Sequence, residues 1–150
     1  DFHLMCEDWL NNAYDEEKFK GKHLPLVMFK NTKTTLSRIN NIYAQEVALY
    51  SDHLEIAGRV DCIAEFDGEL SIIDFKTSTK EKKLKWIEDY LIQETAYACM
   101  LYERYNLKVN KIVTIIACES GDTQVFVETP KKEYLQKLIG YRDHYKKTYE

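Results

Sequence analysis

Two acids and a lysine are the residues of this chain whose types and spacing suggest chemistry. Asp61 ends the segment GRVD, and Asp74-Phe75-Lys76 follows thirteen residues later. Because alternate residues of a strand point to the same face, Asp74 and Lys76 share a face if this segment is extended. A lysine beside two carboxylates would form a site for a divalent cation and for developing negative charge.

The elements that would position these residues are two strands joined by a tight turn. Asp67-Gly68 separates two largely apolar segments, and this pair is a strong hairpin signal because type I′ turns need positive φ. Folding the chain about the turn places Asp74 opposite or diagonal to Asp61, about 5–8 Å away on a shared face. The apolar character of residues 70–75 predicts a strand covered on both faces. The alternative is a surface hairpin with incidental acids, but an unpaired buried charge is costly.

These residues resemble the PD-(D/E)XK nuclease superfamily, whose motif is an acid, a variable gap, then Asp or Glu, any residue and Lys. The RecB-like exonuclease branch also carries Gln-x-x-x-Tyr on the helix after the motif strands, matched here by Gln93-Glu94-Thr95-Ala96-Tyr97. That branch has a histidine on its first helix, and the helical pattern of residues 2–10 places His3 there. The resemblance covers residues 3–105.

The resemblance implies an α/β (α+β) fold with a restriction-endonuclease-like core, a mixed central sheet flanked by helices in the order α-β-β-β-α-β. Strands alternating with longer helices favour an α/β class independently. The patterns predict helices at 1–13, 34–42, 86–105 and 130–149, and strands at 44–50, 54–57, 58–66, 69–76, 111–118 and 123–128. We expect one nuclease domain over residues 1–150, and the lack of an initial Met suggests a core excised from a longer protein with further residues upstream.

The resemblance also assigns roles to individual residues. Asp61, Asp74 and Lys76 would be catalytic. Mg²⁺ or Mn²⁺ would be held by a set of four groups: His3, Asp61, Asp74 and the backbone carbonyl of Phe75. Lys76 would orient or deprotonate the attacking water and offset charge in the transition state. A lone histidine on an apolar helix is usually structural, so that alternative stays open for His3.

A second group of residues is predicted to contact DNA. Gln93 and Tyr97 are spaced i, i+4 and share one face of a helix, with a ring for stacking and polar atoms for phosphate or sugar oxygens. Thr77 and Ser78 could donate hydrogen bonds to phosphate, and Lys80 belongs to a lysine run next to the motif strand. The alternative for Tyr97 is a core aromatic with its hydroxyl at the rim.

Charge gives mixed indications about a nucleic-acid partner. The net charge of −4 opposes DNA binding, which usually relies on a basic surface. Bound metal would neutralise several acids, and lysines are dense between residues 76 and 85. A solvated helix start is the alternative explanation of that run. Glu46, on the strand before the motif, is a candidate auxiliary acid, although a simple edge-strand glutamate also explains it.

The four cysteines indicate free thiols. Cys6, Cys62, Cys99 and Cys118 form no C-x-x-C pair, which argues against a zinc site and against the iron–sulfur cluster of some RecB-like relatives. We therefore expect a reducing intracellular compartment, either a bacterial or phage-infected cytoplasm or the mitochondrial matrix. No apolar run approaches the roughly 18 residues of a membrane span, and no signal peptide is visible, so no membrane partner is expected.

The resemblance implies a metal-dependent DNA exonuclease that prefers single-stranded ends. The end preference comes from the family and from no particular residue. Three alternatives stay open: a structure- or site-specific endonuclease of the same fold, a nuclease or DNA-binding module of a larger recombination or helicase complex, and an RNA-directed nuclease. Polarity, processivity, protein partners and oligomeric state are not predicted.

Overall fold

A computed structural model describes residues 1–149. Its helices are α1 (Phe2–Leu10), α2 (His23–Leu36), α3 (Glu88–Tyr105) and α4 (Lys132–Tyr149). Its strands are β1 (Ile39–Ser51), β2 (Ile56–Phe66), β3 (Glu69–Ser78), β4 (Lys111–Cys118) and β5 (Thr123–Glu128). Short 3₁₀ turns lie at Glu16–Phe19 and Leu84–Trp86.

The five strands form one mixed sheet in the order β1-β2-β3-β4-β5. β3 and β4 are parallel, and every other neighbouring pair is antiparallel. A parallel pair needs a crossover connection, which α3 supplies. The predicted α/β class, with helices flanking a mixed sheet and the α-β-β-β-α-β order at its centre, is confirmed.

Two apolar clusters cover the two faces of this sheet. One contains Phe2, Met5 and Cys6 of α1 and Phe29 of α2, and the other contains most of the buried side chains of α3. Residues 71–75 of β3 are all buried, as the apolar run predicts. Because Ile72 belongs to the α3 cluster, strand alternation puts Asp74 on the α3 face as well.

The predicted helix at residues 34–42 is wrong. α2 ends at Leu36 and β1 begins at Ile39, while the first turns of α2, from His23, lie in a segment where no element was predicted. The C-terminal half of α2 is rich in threonine, which has weak helix propensity. Packing of its buried side chains against β4 and β5 therefore decides that this segment is helical. These side chains are Met28, Phe29, Thr32 and Leu36.

The β1–β2 and β2–β3 hairpins differ in how well local sequence predicts them. β1 continues through Ser51, and residues 52–55 form the turn, so the separate strand predicted at 54–57 is wrong at its start. The second turn is as expected, because Asp67 has φ +52° and Gly68 has φ +83°. An Asp-Gly pair adopts these angles easily, whereas the first turn carries no such signal.

The last helix packs on α3 through Tyr134 and Leu138. Across residues 1–149, every helix is too short or too polar to cross a bilayer.

Candidate active site

The acids meet where the pairing of β2 with β3 ends. The last paired residues are Cys62 and Ile73, so the next residues along the two strands are Asp61 and Asp74. Phe75 N–H donates to Asp61 Oδ2 at 2.8 Å rather than to a β2 carbonyl. The carboxylate thus replaces a backbone acceptor at the point where the ladder stops. The hairpin turn and strand alternation are sufficient to create this meeting.

The Asp61 carboxyl lies in crowded, anionic surroundings. Its side chain is 17% exposed. Burial, followed by the hydrogen bond and charge of Asp74, raises its pKa to about 8, against the opposing hydrogen bond from Phe75 N–H. Glu46 adds a smaller effect in the same direction. At neutral pH the Asp61 carboxyl therefore holds its proton unless a further cation binds beside it.

Lys76 is the cation that the structure supplies. Its Nζ lies 3.0 Å from Asp74 Oδ2, at an angle that leaves this buried oxygen without a well-directed hydrogen bond. Burial lowers the pKa of Lys76, but the charges of Asp74 and Asp61 outweigh burial, and the net effect raises the pKa. Lys76 is therefore a positively charged ammonium at neutral pH.

α1 brings a ring nitrogen to the same place. His3 Nε2 contacts the carbonyl oxygen of Phe75 and lies 4.0 Å from Asp61 Oδ2. The helix is held there by Phe2, Met5 and Cys6, which are buried on the α1–α2 side of the sheet. Three elements, α1, β2 and β3, thus contribute to one small volume.

These groups fit a hard divalent cation. The oxygens of Asp61, Asp74 and the Phe75 carbonyl are the ligand type that Mg²⁺ prefers, and Asp74 Oδ2 is buried without a directed hydrogen bond. In the part of the chain that the structure describes, no group of three or more His, Cys, Asp or Glu side chains is arranged to hold a metal ion. The groups that would hold Mg²⁺ are therefore the two carboxylates and the Phe75 carbonyl, and Mg²⁺ is usually held by one or two carboxylates together with waters.

Glu94 is a further carboxyl at the site, and sequence analysis missed it. It is fully buried on α3, accepts a hydrogen bond from Thr114 Oγ1 at 2.5 Å, and leaves its Oε1 without a partner. Thr114 is the β4 register partner of Asp74, which brings Glu94 close to the acids. Burial above all raises its pKa well above the ordinary range. The signal was present in the sequence, because Glu94 falls on the apolar stripe between Leu91 and Ala98.

Tyr97 faces the acids, but its ring is closed to stacking. Only 4% of the residue is exposed. Burial, then the charges of Asp74 and Asp61, raises its pKa to about 12. A Cβ added at Gly58 would lie 2.7 Å from Tyr97 Cε1 and 2.9 Å from its hydroxyl, so the ring packs directly on the β2 backbone. The expectation of an open stacking face is therefore wrong, and the core alternative describes this ring.

Gln93 and Glu46 lie at the margins of the site. Gln93 is exposed on α3 and lines a groove with Ile56 and Tyr141, on the side of α3 that faces α4. No hydrogen bond among residues 1–149 joins Gln93 to the acids. Glu46 has φ +49°, and its backbone carbonyl accepts a hydrogen bond from Arg59. Its effect on the pKa of Asp61 places its carboxyl within electrostatic range of the site.

The residues after Lys76 line the approach to His3. Thr77 and Ser78 share a cleft with His3 between α1 and the end of β3. Ser78 Oγ donates to the carbonyl of Lys80 at 2.6 Å, so this hydroxyl is occupied within its own turn. Thr77 and Lys80 are exposed.

Comparisons with known proteins establish the family. The model of the PD-(D/E)XK nuclease superfamily matches residues 6–148, and the chain belongs to this superfamily. Mitochondrial genome maintenance exonuclease 1 of Xenopus tropicalis is 30% identical over 123 residues, covering 80% of this chain and 35% of that protein. The Mus musculus protein of that name is 33% identical over 125 residues, covering 80% and 36%.

The Homo sapiens protein of the same name is 32% identical over 110 residues, covering 71% of this chain and 30% of that protein. The chain thus spans about a third of the length of the curated relatives it matches.

A solved structure extends the comparison to the fold. The crystal structure of a provisionally assigned exonuclease from Eubacterium rectale superposes with a TM-score of 0.52 at 15% identity. The match covers 94% of this chain and 63% of that one. At this identity the similarity concerns the fold alone, and with the family match it confirms the restriction-endonuclease-like core. His3 precedes the segment that the family model matches, so its place in the site rests on its contact with Phe75.

Proposed function

We propose that this chain is a metal-dependent DNA exonuclease that prefers single-stranded ends. The observation that carries the proposal is the meeting of Asp61, Asp74 and Lys76 where β2–β3 pairing stops, in a chain of the PD-(D/E)XK superfamily. The exonuclease activity is supported by the names of relatives that are 30–33% identical. The preference for single-stranded ends is the finer part of the proposal, and it needs its own test.

In this proposal His3, Asp61, Asp74 and the Phe75 carbonyl hold Mg²⁺ or Mn²⁺. When bound, such an ion lowers the pKa of a coordinated water and polarises a phosphate oxygen. The residues themselves support this role, because a bound cation would displace the proton that burial and the neighbouring Asp74 keep on Asp61. Calorimetric titration of Mg²⁺ should therefore show affinity that rises with pH and is abolished in Asp74→Asn.

Lys76 acts as an ammonium. Its charge is maintained by Asp74 and Asp61, so at neutral pH it orients the attacking water and offsets negative charge on the phosphate rather than removing a proton. Asp74 holds the Nζ at 3.0 Å and so limits the positions that it can take. Thr77, Lys80, Gln93 and the hydroxyls of Ser78 and Tyr97 are the proposed further contacts with DNA.

The test uses end-labelled linear single-stranded DNA with Mg²⁺ or Mn²⁺. The unsubstituted protein should shorten this DNA, and Lys76→Ala should slow cleavage at least about 100-fold while retaining DNA binding. Lys137→Ala is the matched control, because Lys137 forms a surface ion pair with Glu88 away from the acids. Its rate should equal that of the unsubstituted protein.

Different substrates separate the alternatives. Closed circular single strands digested as fast as linear ones would favour an endonuclease. Faster cleavage of RNA than of DNA would favour an RNA-directed nuclease. Absence of cleavage on every substrate, with either metal, would overturn the proposal.

We also propose a reducing intracellular compartment for this protein. The cysteines are free thiols, and Cys6, Cys62 and Cys118 are buried, which supports the expectation but names no organelle. Fractionation of cells that express the protein would test it.

A further inference from the structure

An exposed tryptophan lies among lysines in the connection that follows β3, the strand that carries Asp74 and Lys76. Trp86 belongs to the 3₁₀ turn between β3 and α3, and 54% of the residue is exposed. Lys80, Lys83 and Lys85 in the same connection are exposed, and Lys82 is partly buried. A large aromatic side chain left in water adds little to the stability of the fold. Its position therefore raises the question of what it binds.

Two ring–cation groups lie in the connection that leads from the active site to α3. Lys83 Nζ lies 5.3 Å from the centre of the Trp86 ring. Four residues further on, the Tyr90 ring has two lysines near it, with Lys82 Nζ at 5.7 Å and Lys76 Nζ at 4.8 Å from its centre. Because Lys82 and Lys83 are consecutive residues, the Trp86 group lies in the same segment as the group that includes the proposed catalytic lysine. We refer to Trp86, Tyr90, Lys82 and Lys83 as the aromatic–lysine surface.

The backbone beneath this surface is held in place. Gln124 of β5 accepts a hydrogen bond from Lys82 N–H at 2.8 Å and donates one to the Lys82 carbonyl at 2.9 Å. Ile87, next to Trp86, is fully buried in the α3 cluster. The aromatic–lysine surface is therefore presented by an anchored segment, which lowers the entropy cost of binding a ligand.

We propose that the aromatic–lysine surface binds the unpaired strand of the DNA substrate, with Trp86 stacking on a base. This inference rests on the proposed nuclease function. The occupant is argued from charge and position, because these lysines concentrate positive charge in a chain of net charge −4 and adjoin Lys76. Stacking requires a free base face, which single strands offer and paired duplex bases do not. Trp86 thus provides a physical basis for a single-strand preference.

The first experiment compares the loss of DNA binding when either of two exposed aromatic side chains is removed. Trp86 lies just before α3, and Tyr105 is its last residue. In a Lys76→Ala background with Mg²⁺, the affinity for a labelled oligothymidylate is measured by fluorescence anisotropy. Trp86→Ala should weaken binding roughly tenfold, and Trp86→Phe should recover most of the loss. Tyr105→Ala is the control, because Tyr105 is 64% exposed at the far end of α3. Its affinity should not change.

A spectroscopic measurement tests the stacking directly. The chain has two tryptophans, and Trp9 packs against Tyr14 and Phe29, so Trp9→Phe leaves Trp86 as the sole indole. Addition of the oligothymidylate should quench the remaining fluorescence. Blunt duplex of equal length should quench it much less.

Salt dependence tests the lysines. The double variant Lys82→Ala, Lys83→Ala should reduce the slope of log affinity against log salt by about 0.7 for each phosphate that these lysines neutralise. An unchanged slope would remove the lysines from the proposal.

The outcomes separate this inference from the nuclease proposal. Equal affinities of Trp86→Ala and Tyr105→Ala, or binding without quenching in Trp9→Phe, would overturn the inference while cleavage stood. Equal reductions of single-strand and duplex binding in Trp86→Ala would also overturn it, since the surface would not select single strands. Failure of the unsubstituted protein to cleave or bind any DNA would instead overturn the proposed function.

Discussion

Charged side chains lie in opposite environments at the two ends of the β2–β3 hairpin. At the turn end, the two carboxylate oxygens of Asp67 accept hydrogen bonds from Arg38 Nε and Nη2 at 2.9 and 2.6 Å. Lys111 Nζ donates to the carbonyl of Phe66 at 3.0 Å. The Asp67 and Arg38 side chains are partly exposed, so their partners and water together satisfy both charges.

At the site end, the same two strands bury charges that are poorly satisfied. Asp61 and Asp74 lie close together, and the Lys76 ammonium lies 3.0 Å from Asp74 Oδ2. Asp74 Oδ2 is buried with only the poorly directed contact from Lys76, and Glu94 Oε1 on α3 is buried without a hydrogen-bond partner among residues 1–149. Desolvation and like charges both oppose folding in such an arrangement.

The contrast shows what each end is built for. Exposed ion pairs such as that of the turn end add little to stability, and their removal is well tolerated. Buried acids that cost stability are a mark of functional sites, where a local rule is broken for the sake of chemistry. Matched substitutions at the two ends can therefore separate chemistry from folding.

The largest expected effect is the difference in activity between Asp74→Asn at the site end and Asp67→Asn at the turn end. Asp74→Asn should lower kcat/KM on labelled linear single-stranded DNA at least about 100-fold, because it removes the charge that positions Lys76 and a cation. Asp67→Asn at the turn end should leave kcat/KM unchanged. Similar rates for the two variants would contradict the assignment of the site end.

Two substitutions of Glu94 test whether the stability of the protein depends on the charge of this side chain or on its shape. Glu94→Ala should lower the free energy of unfolding by about 2–3 kcal/mol, because it removes buried atoms from the core and leaves the Thr114 hydroxyl without its acceptor. Glu94→Gln keeps that acceptor and is neutral, like the form that burial favours, so it should cost less than about 1 kcal/mol. Urea unfolding of the metal-free variants measures both. An equal cost for Gln and Ala would show that Glu94 is needed as a charge.

Gly58 and Gly68 test the backbone at the site end and at the turn end, respectively. Gly58→Ala places a Cβ against the Tyr97 ring and should cost about 1–3 kcal/mol and slow cleavage, because the ring must move. Gly68 has φ +83° and no atoms within 4 Å of an added Cβ, so Gly68→Ala should cost about 1 kcal/mol from backbone strain alone. Cleavage should be normal in Gly68→Ala. Thermal melts and activity assays on both variants provide the comparison.

The contributions of Asp61 and Asp67 to stability should change with pH in opposite directions. The folded pKa of Asp61 is raised from 3.8 to about 8, so its stabilising contribution is complete below about pH 4 and disappears as the pH rises through 8. Arg38 lowers the pKa of Asp67, so that contribution is present above the ordinary value and disappears as the pH falls through the folded pKa.

In EDTA, Asp61→Asn should therefore stabilise the protein relative to the unsubstituted form more at about pH 9 than at about pH 5. For Asp67→Asn, any destabilisation should shrink as the pH falls below about 4. Melting temperatures across this range measure both differences. A pH-independent difference for Asp61→Asn would contradict the crowding of the two carboxyl groups.

Sequence patterns predicted the parts of the fold that depend on near neighbours. The Asp67-Gly68 turn, residues 58–66 of β2, strand β3 and the long helix α3 follow from turn chemistry and periodicity over a few residues. α2 was missed because its stability comes from packing against β4 and β5 rather than from propensity. Glu94 was missed although its place on the apolar stripe of α3 was a signal in the sequence, and only the tertiary structure shows that Thr114 is its partner.

The sequence by itself determined that Asp61, Asp74 and Lys76 come together, since a tight hairpin and strand alternation need no distant contact. Only the tertiary structure decided the rest of the site. His3 reaches the Phe75 carbonyl across 72 residues because α1 docks on the sheet, and Glu94 reaches Thr114 because α3 crosses over to make β4 parallel to β3. A hairpin is determined by residues that are close together in the sequence. The docking of α1 and α3 depends instead on which apolar surfaces pack together, and the hydrophobic pattern of the sequence does not show that.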